Sequence, residues 1–183
     1  MKRIMPIAIG LLAASACVFA QSESPEVQKA LMAAPDNMKK DATVISWKSD
    51  FTYETLKKGT NRLVCYDLSG KPGQRTPFAV ECTSIANLDR VAQNLKFNAI
   101  PDKAARDAAF EKAEKDGTRV KPEFGSLWIH AMGPDAEHLR KHITVAVPGA
   151  TSQSLGLPNS GAQGDLWIMN EGTTTAHLMI PGN

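Results

Sequence analysis

The 183-residue chain carries 21 Lys and Arg against 19 Asp and Glu, a formal charge of +2. Lys2 and Arg3 belong to its first twenty residues; without them 19 basic residues face 19 acidic ones and the remainder is formally neutral. Such a chain lacks the surplus of Lys and Arg on one face that displaces counterions, so no nucleic-acid partner is expected.

Residues 1–20 read as a signal peptide, with a basic start, an apolar run from Ile4 to Ala16, and Val18-Phe19-Ala20 before Gln21. Pro6 and Gly10 interrupt the run, which is shorter than the roughly 20 residues of a bilayer-spanning helix. No later stretch is apolar enough for a transmembrane segment. A competing reading places a lipid anchor on Cys17, because Ala14-Ser15-Ala16-Cys17 loosely resembles the box before a lipoprotein cysteine, although Ala14 stands where Leu is usual. Residues 21–183 then form a single domain, large enough for its own core, that is periplasmic or secreted.

Cysteine usage follows from export. With Cys17 in the leader, Cys65 and Cys82 remain as a pair in an oxidising compartment, and a disulfide between them is expected. A two-thiolate metal site would need two further ligands close by, and none stands there.

Ser24-Pro25-Glu26 predicts a helix start, with an N-cap side chain, Pro at the first helical position and a carboxylate at the positive pole. Val27, Ala30, Leu31 and Ala34 share its inner face, and Pro35-Asp36-Asn37 stops or restarts it. Thr43–Trp47 reads as a strand, and Phe51 with Tyr53 as the start of a second. Gly59-Thr60-Asn61 supplies residues that tolerate positive φ, so Tyr53–Leu56 and Arg62–Tyr66 are expected to form a hairpin. After the turn at Lys71-Pro72-Gly73-Gln74, Phe78–Thr83 forms a strand with Phe78, Val80 and Cys82 on one face.

Ser84 caps an amphipathic helix through Ile85, Leu88, Ala92 and Leu95. A polar helix follows Pro101-Asp102, with Ala105, Ala109, Phe110 and Ala113 inward, Glu111 paired to Lys115, and Gly117 as its cap. Strand alternation returns at Leu127-Trp128-Ile129-His130-Ala131-Met132. Asp135–Lys141 suggests one or two helical turns, and His142–Val147 a strand. Pro148–Gly164 is too long for a simple turn, so it is a functional or a floppy loop. The last element is a hairpin of Leu166–Met169 and Ala176–Ile180 around Glu171-Gly172-Thr173. Two β halves around a two-helix insertion predict one α+β domain: a mostly antiparallel sheet, an N-terminal helix and one disulfide.

Ala34-Pro35, Lys40-Asp41-Ala42-Thr43-Val44, Gly59-Thr60-Asn61-x-x-x-Cys65 and His177-Leu178-Met179-Ile180-Pro181 resemble patches of a group of exported bacterial proteins of unknown function. Arg62 stands where that group has a second glycine, so the turn is wound differently. The resemblance implies an exported single domain and brings no activity, cofactor or catalytic residue with it.

Catalytic motifs are missing from the sequence: it has no G-x-S-x-G, S-x-x-K or G-x-C nucleophile pattern, no P-loop and no G-x-G-x-x-G. His138 and His142 have the helical metal-pair spacing but lack the H-E-x-x-H order. His142 and His177 each head a β-stretch near Met132, Met169 and Met179, a soft-metal set if the strands adjoin; core methionines are the plainer explanation. Trp47, Trp128 and Trp167 sit in strand-like segments that favour packing over ligand stacking. The leading expectation is a non-catalytic binding module for a small molecule, envelope component or protein, acting near His142, Trp167 and His177. The alternative is a metal-binding protein or metal-assisted hydrolase using His142 and His177. No cofactor is named by the sequence.

Overall fold

The computed structural model describes residues 23–180. The expected leader, Cys17 and Pro181 lie outside them. Ser24 accepts the Val27 N–H at 3.3 Å and Pro25 follows, which starts α1 (Pro25–Ala30) where the sequence places it. A tight turn over Leu31–Ala33 and the short α2 (Asp36–Lys39) lead into β1 (Thr43–Trp47), and β2 (Tyr53–Lys57) follows. Phe51 is in no strand: it turns the chain with φ 66°, and β2 starts only at Tyr53.

The expected hairpin around Gly59 does not form. β2 pairs antiparallel with β1, the chain crosses over, and β3 (Leu63–Asp67) lies parallel to β1 on its other side. Burial explains the choice. β1 is buried on both faces, as a central strand must be, while β2 is largely exposed and takes the edge. Gly59 has no positive φ; instead its backbone lies against β1, where a Cβ would stand 2.2 Å from the Asp41 carbonyl oxygen.

β4 (Phe78–Ser84) returns antiparallel to β3, with Cys65 directly opposite Cys82 and their sulfurs bonded at 2.05 Å. Ser84 accepts the Ala86 N–H and opens a short turn before α3 (Leu88–Asn98). Ile85, expected inside, is 48% exposed, and Val91 takes the inner position with Leu88 and Leu95. Asp102 caps α4 (Lys103–Lys115) by accepting the Ala105 N–H at 2.7 Å. Its ion pairs are Lys103–Asp107 and Lys112–Asp116, and Glu111–Lys115 is not among them. Ala105 is exposed; Phe110 packs edge-on against Phe97 of α3.

β5 (Leu127–Gly133) and β6 (Arg140–Ala146) continue the antiparallel sheet. No helix forms over residues 135–141. Asp135 instead accepts the backbone N–H groups of Glu137 and His138, an Asx turn, and β6 begins at Arg140. The long loop holds a short α5 (Ser152–Leu155), and β7 (Trp167–Met169) pairs with β8 (His177–Met179) as expected. One eight-stranded sheet results, in the order β2-β1-β3-β4-β5-β6-β8-β7, antiparallel except at β1–β3.

The sheet carries two main cores, and a third, small cluster of Val147, Ile168 and Ala176 lies by β7 and β8. On one face α1 and its following turn cover the disulfide with Val44, Val80, Ile129 and Ala131. On the other, α3 covers Ile45, Trp47, Val64 and Tyr66. No helix among the described residues is long and apolar enough to cross a membrane.

Candidate functional site

A polar row crosses the α3 face of the sheet. The strand register sets Tyr66 opposite Glu81, Glu81 opposite His130 and His130 opposite His142, so four consecutive strands each contribute one member. Glu81 is buried, 6% exposed, in a strand otherwise made of apolar and small residues. One carboxylate oxygen accepts the Tyr66 hydroxyl and the other accepts His130 Nδ1–H at 2.7 Å. Both oxygens of a buried carboxylate are thereby satisfied, which is the condition for keeping it there.

Titration follows from this placement. Burial disfavours the His130 cation, but the Glu81 charge and hydrogen bond outweigh it and hold His130 above its ordinary value. Burial drives the Tyr66 phenol well above its ordinary value, and Glu81 pushes it the same way, so Tyr66 remains a donor. His142, with its ring centroid 6.1 Å from that of His130, is moved the other way. Burial lowers it first, and the charges of His130 and His177 add to the effect.

Between α3 and strands β5, β6 and β8 a cavity of about 200 Å³ opens. Trp128, His130, His142, Thr144 and His177 line its sheet side, and Arg90 and Asn94, one helical turn apart on α3, line the other. His177 is oriented through its own backbone: Nδ1 lies 2.7 Å from the Thr175 carbonyl oxygen. A carbonyl only accepts, so Nδ1 carries the hydrogen and the neutral ring keeps its lone pair on Nε2.

Arg90 is 3% exposed and is clamped in place. Its guanidinium donates to the Val120 carbonyl oxygen at 2.6 Å and to the hydroxyls of Thr174 and Thr175 at 2.8 and 2.7 Å. Glu114 of α4 accepts the Thr174 N–H at 3.1 Å, which fixes that segment from behind. Burial lowers Arg90 to about 10, with Arg119 reinforcing the effect and Glu114 opposing it, so it remains a cation at neutral pH.

His142 and His177 therefore do meet at one cavity, and His130 joins them. Trp167 does not line it; that ring packs over Gly161, where a Cβ would lie 3.0 Å away. His138 is apart from the cavity, in a loop, bonded to Asp135 at 2.8 Å. Glu81, Arg90 and Asn94 are functional candidates that strand periodicity does not reveal. Their signals are a carboxylate inside an apolar strand and a polar Asn87–Arg90–Asn94 stripe beside the apolar one of α3. A second cleft, of about 210 Å³, opens beside Phe124 and Leu127, but its Glu123 is already bound by Ser84 at 2.5 Å and by Arg62.

Among the described residues no group of three or more His, Cys, Asp or Glu side chains is placed to hold a metal ion. No protein-family model matches the chain, and no curated protein or solved structure shows significant similarity to it.

Proposed function

We propose that the chain is an exported binding module for a small molecule, held in the cavity bounded by Arg90, Trp128, His130, His142, Thr144 and His177. The observation that carries this reading is convergence. Residues spread from position 90 to position 177 come together from α3, β5, β6 and β8 around one opening. The cavity is smaller than the range of about 300–1,000 Å³ usual for drug-sized ligands, so the ligand has few atoms. The Cys65–Cys82 bond supports export, because such bonds persist in oxidising compartments.

Saturation-transfer NMR against a panel of small carboxylates, phosphates, amines and sugars tests the proposal, with His142→Trp as a variant that fills the cavity. Ligands should bind the native chain and be lost from the filled one. Hits that survive the filling would place the binding elsewhere.

A metal-binding protein or metal-assisted hydrolase using His142 and His177 is the second reading. Its support is the His177 ring, which an Nδ1 hydrogen bond orients as metal-ligating imidazoles are oriented, with Nε2 left for an ion. Elemental analysis of the native protein and of His177→Ala decides it: this reading requires a stoichiometric ion that the variant loses.

A further inference from the structure

We infer that the ligand of this cavity is a small oxyanion, a carboxylate, sulfate or phosphate group bound between the Arg90 guanidinium and the His130 and His142 imidazoles. This rests on the binding-module reading and adds the chemical class.

The sign of the charges around the cavity carries the inference. Among the described residues every ionisable side chain lining it is basic: Arg90, His130, His142 and His177. No carboxylate of the described residues reaches the lining. Glu81 sits behind His130 with both oxygens occupied, and Glu114 sits behind Thr174 and Thr175. In the α3–α4 corner two buried guanidiniums, Arg90 and Arg119, lie within the influence of the Glu114 charge, and neither is ion-paired to it among the described residues. A half-enclosed cleft with one sign of charge and low-dielectric walls concentrates counter-ions of the other sign.

The hydrogen-bonding groups agree. Asn94 spends its carbonyl oxygen on Arg119, which leaves its amide hydrogens to donate. Arg90 has five N–H groups and uses three on Val120, Thr174 and Thr175. With Glu81 taking its Nδ1 hydrogen, a protonated His130 has Nε2–H as its remaining donor. Thr144 adds a hydroxyl, whereas the Thr175 hydroxyl is already given to Glu114. Donors in this number around a space of about 200 Å³ match the lone pairs of one oxyanion.

The groups facing His130 and His142 also set how binding responds to pH. Glu81 from β4, His177 from β8 and Arg90 from α3 surround the pair, and Tyr66 acts on it through Glu81. An anion favours the protonated form of each imidazole, so it binds more tightly as pH falls and raises the titration of His142 in return.

Calorimetry with sulfate at fixed ionic strength tests this, since sulfate is a dianion at both pH 6 and pH 8 and any change belongs to the protein. Affinity should be about tenfold tighter at pH 6, and the His130→Gln/His142→Gln double variant should lose that dependence. Imidazole NMR on the native chain supplies a check that needs no variant: sulfate should raise the titration midpoint of His142. Sulfate binding that is equal at both pH values and leaves His142 unmoved overturns the inference. If sulfate fails to bind while a neutral panel molecule binds and is displaced by His142→Trp, the anion falls and the binding module stands. If nothing binds, both fall.

Discussion

Glu81 and His130 face each other across β4 and β5, joined by a 2.7 Å contact from the Glu81 carboxylate to Nδ1, and His130 is the one cationic partner of Glu81 among the described residues. The pair sets the charge at the cavity. Tyr66 bonds the other carboxylate oxygen and stays protonated, so the relay runs from a buried phenol to an imidazole at the cavity edge.

Glu81→Gln tests the pair directly. The amide still accepts one hydrogen bond but supplies no charge, so the His130 titration midpoint should drop below its ordinary value as burial acts unopposed. Stability should fall by about 1–3 kcal/mol, the usual loss when a buried polar partner is left imperfectly satisfied. NMR titration of His130 and denaturant unfolding measure the two effects; an unmoved His130 midpoint would show that Glu81 does not control it.

The two imidazoles give stability opposite pH dependences. His130 has a folded-state value above its unfolded one of about 6.5, so its contribution is complete below that pH and is lost as pH rises through the folded value. His142 has a folded-state value below its unfolded one, so its neutral form is favoured and stability is lost as pH falls below about 6.5. Unfolding midpoints from pH 5 to pH 9 should trace a dome. His130→Gln should flatten the alkaline side and His142→Gln the acid side.

How much of this was legible in the sequence depends on the range of the signal. β4 and β5 could be read because burial writes itself into alternation, β1 because it is rich in β-branched and aromatic residues, and the disulfide because only two cysteines remain once the expected leader is set aside. Strand neighbours could not, since pairing order is not a local property: Gly59-Thr60-Asn61 has the composition of a hairpin turn yet sits on a crossover. A trace of the right answer was present in Ala42-Thr43-Val44-Ile45, whose run of small and β-branched residues with no charge suits a strand buried on both faces. Asp135–Lys141 misread as helix because its polar composition also suits the Asx turn that forms there. For the site, His142 and His177 drew notice as strand-leading histidines. Glu81 and Arg90 did not, because a buried charge becomes intelligible only when its partners, 49 and 84 residues away, are in view.

The Cys65–Cys82 bond closes a short loop, with 17 residues of sequence separation. On the chain-entropy model this is worth about 3 kcal/mol, through restriction of the unfolded chain. The Cys65→Ala/Cys82→Ala variant should lose about that much in denaturant unfolding and keep its sheet, because Val44, Val80 and Ile129 still pack beneath α1. Thiol titration of the denatured, unreduced native chain should find both sulfurs oxidised. Two free thiols would remove the link from the folded protein as isolated.

Gly59→Ala discriminates between a glycine needed for its backbone angle and one needed for space. The residue has no positive φ, so alanine meets no torsional obstacle there. Its Cβ, however, would stand 2.2 Å from the Asp41 carbonyl oxygen and 2.4 Å from the Thr43 nitrogen, both main-chain atoms that no side-chain rotation can clear. The same Asp41 oxygen accepts the N–H groups of Thr60 and Asn61 at 2.8 and 3.0 Å, so relief of the clash would break the contacts that pin the crossover to β1. Alanine at 59 should therefore cost at least the 1–3 kcal/mol typical of overpacking. Gly70→Ala provides the contrast: φ is +70° and no atom lies within 4 Å of the added carbon. Its cost should be about 1–2 kcal/mol, from the left-handed conformation alone. Denaturant midpoints of the two variants should rank Gly59→Ala as the more damaging, whereas equal losses would mean that the chain passes β1 less closely than the parallel β1–β3 crossover requires.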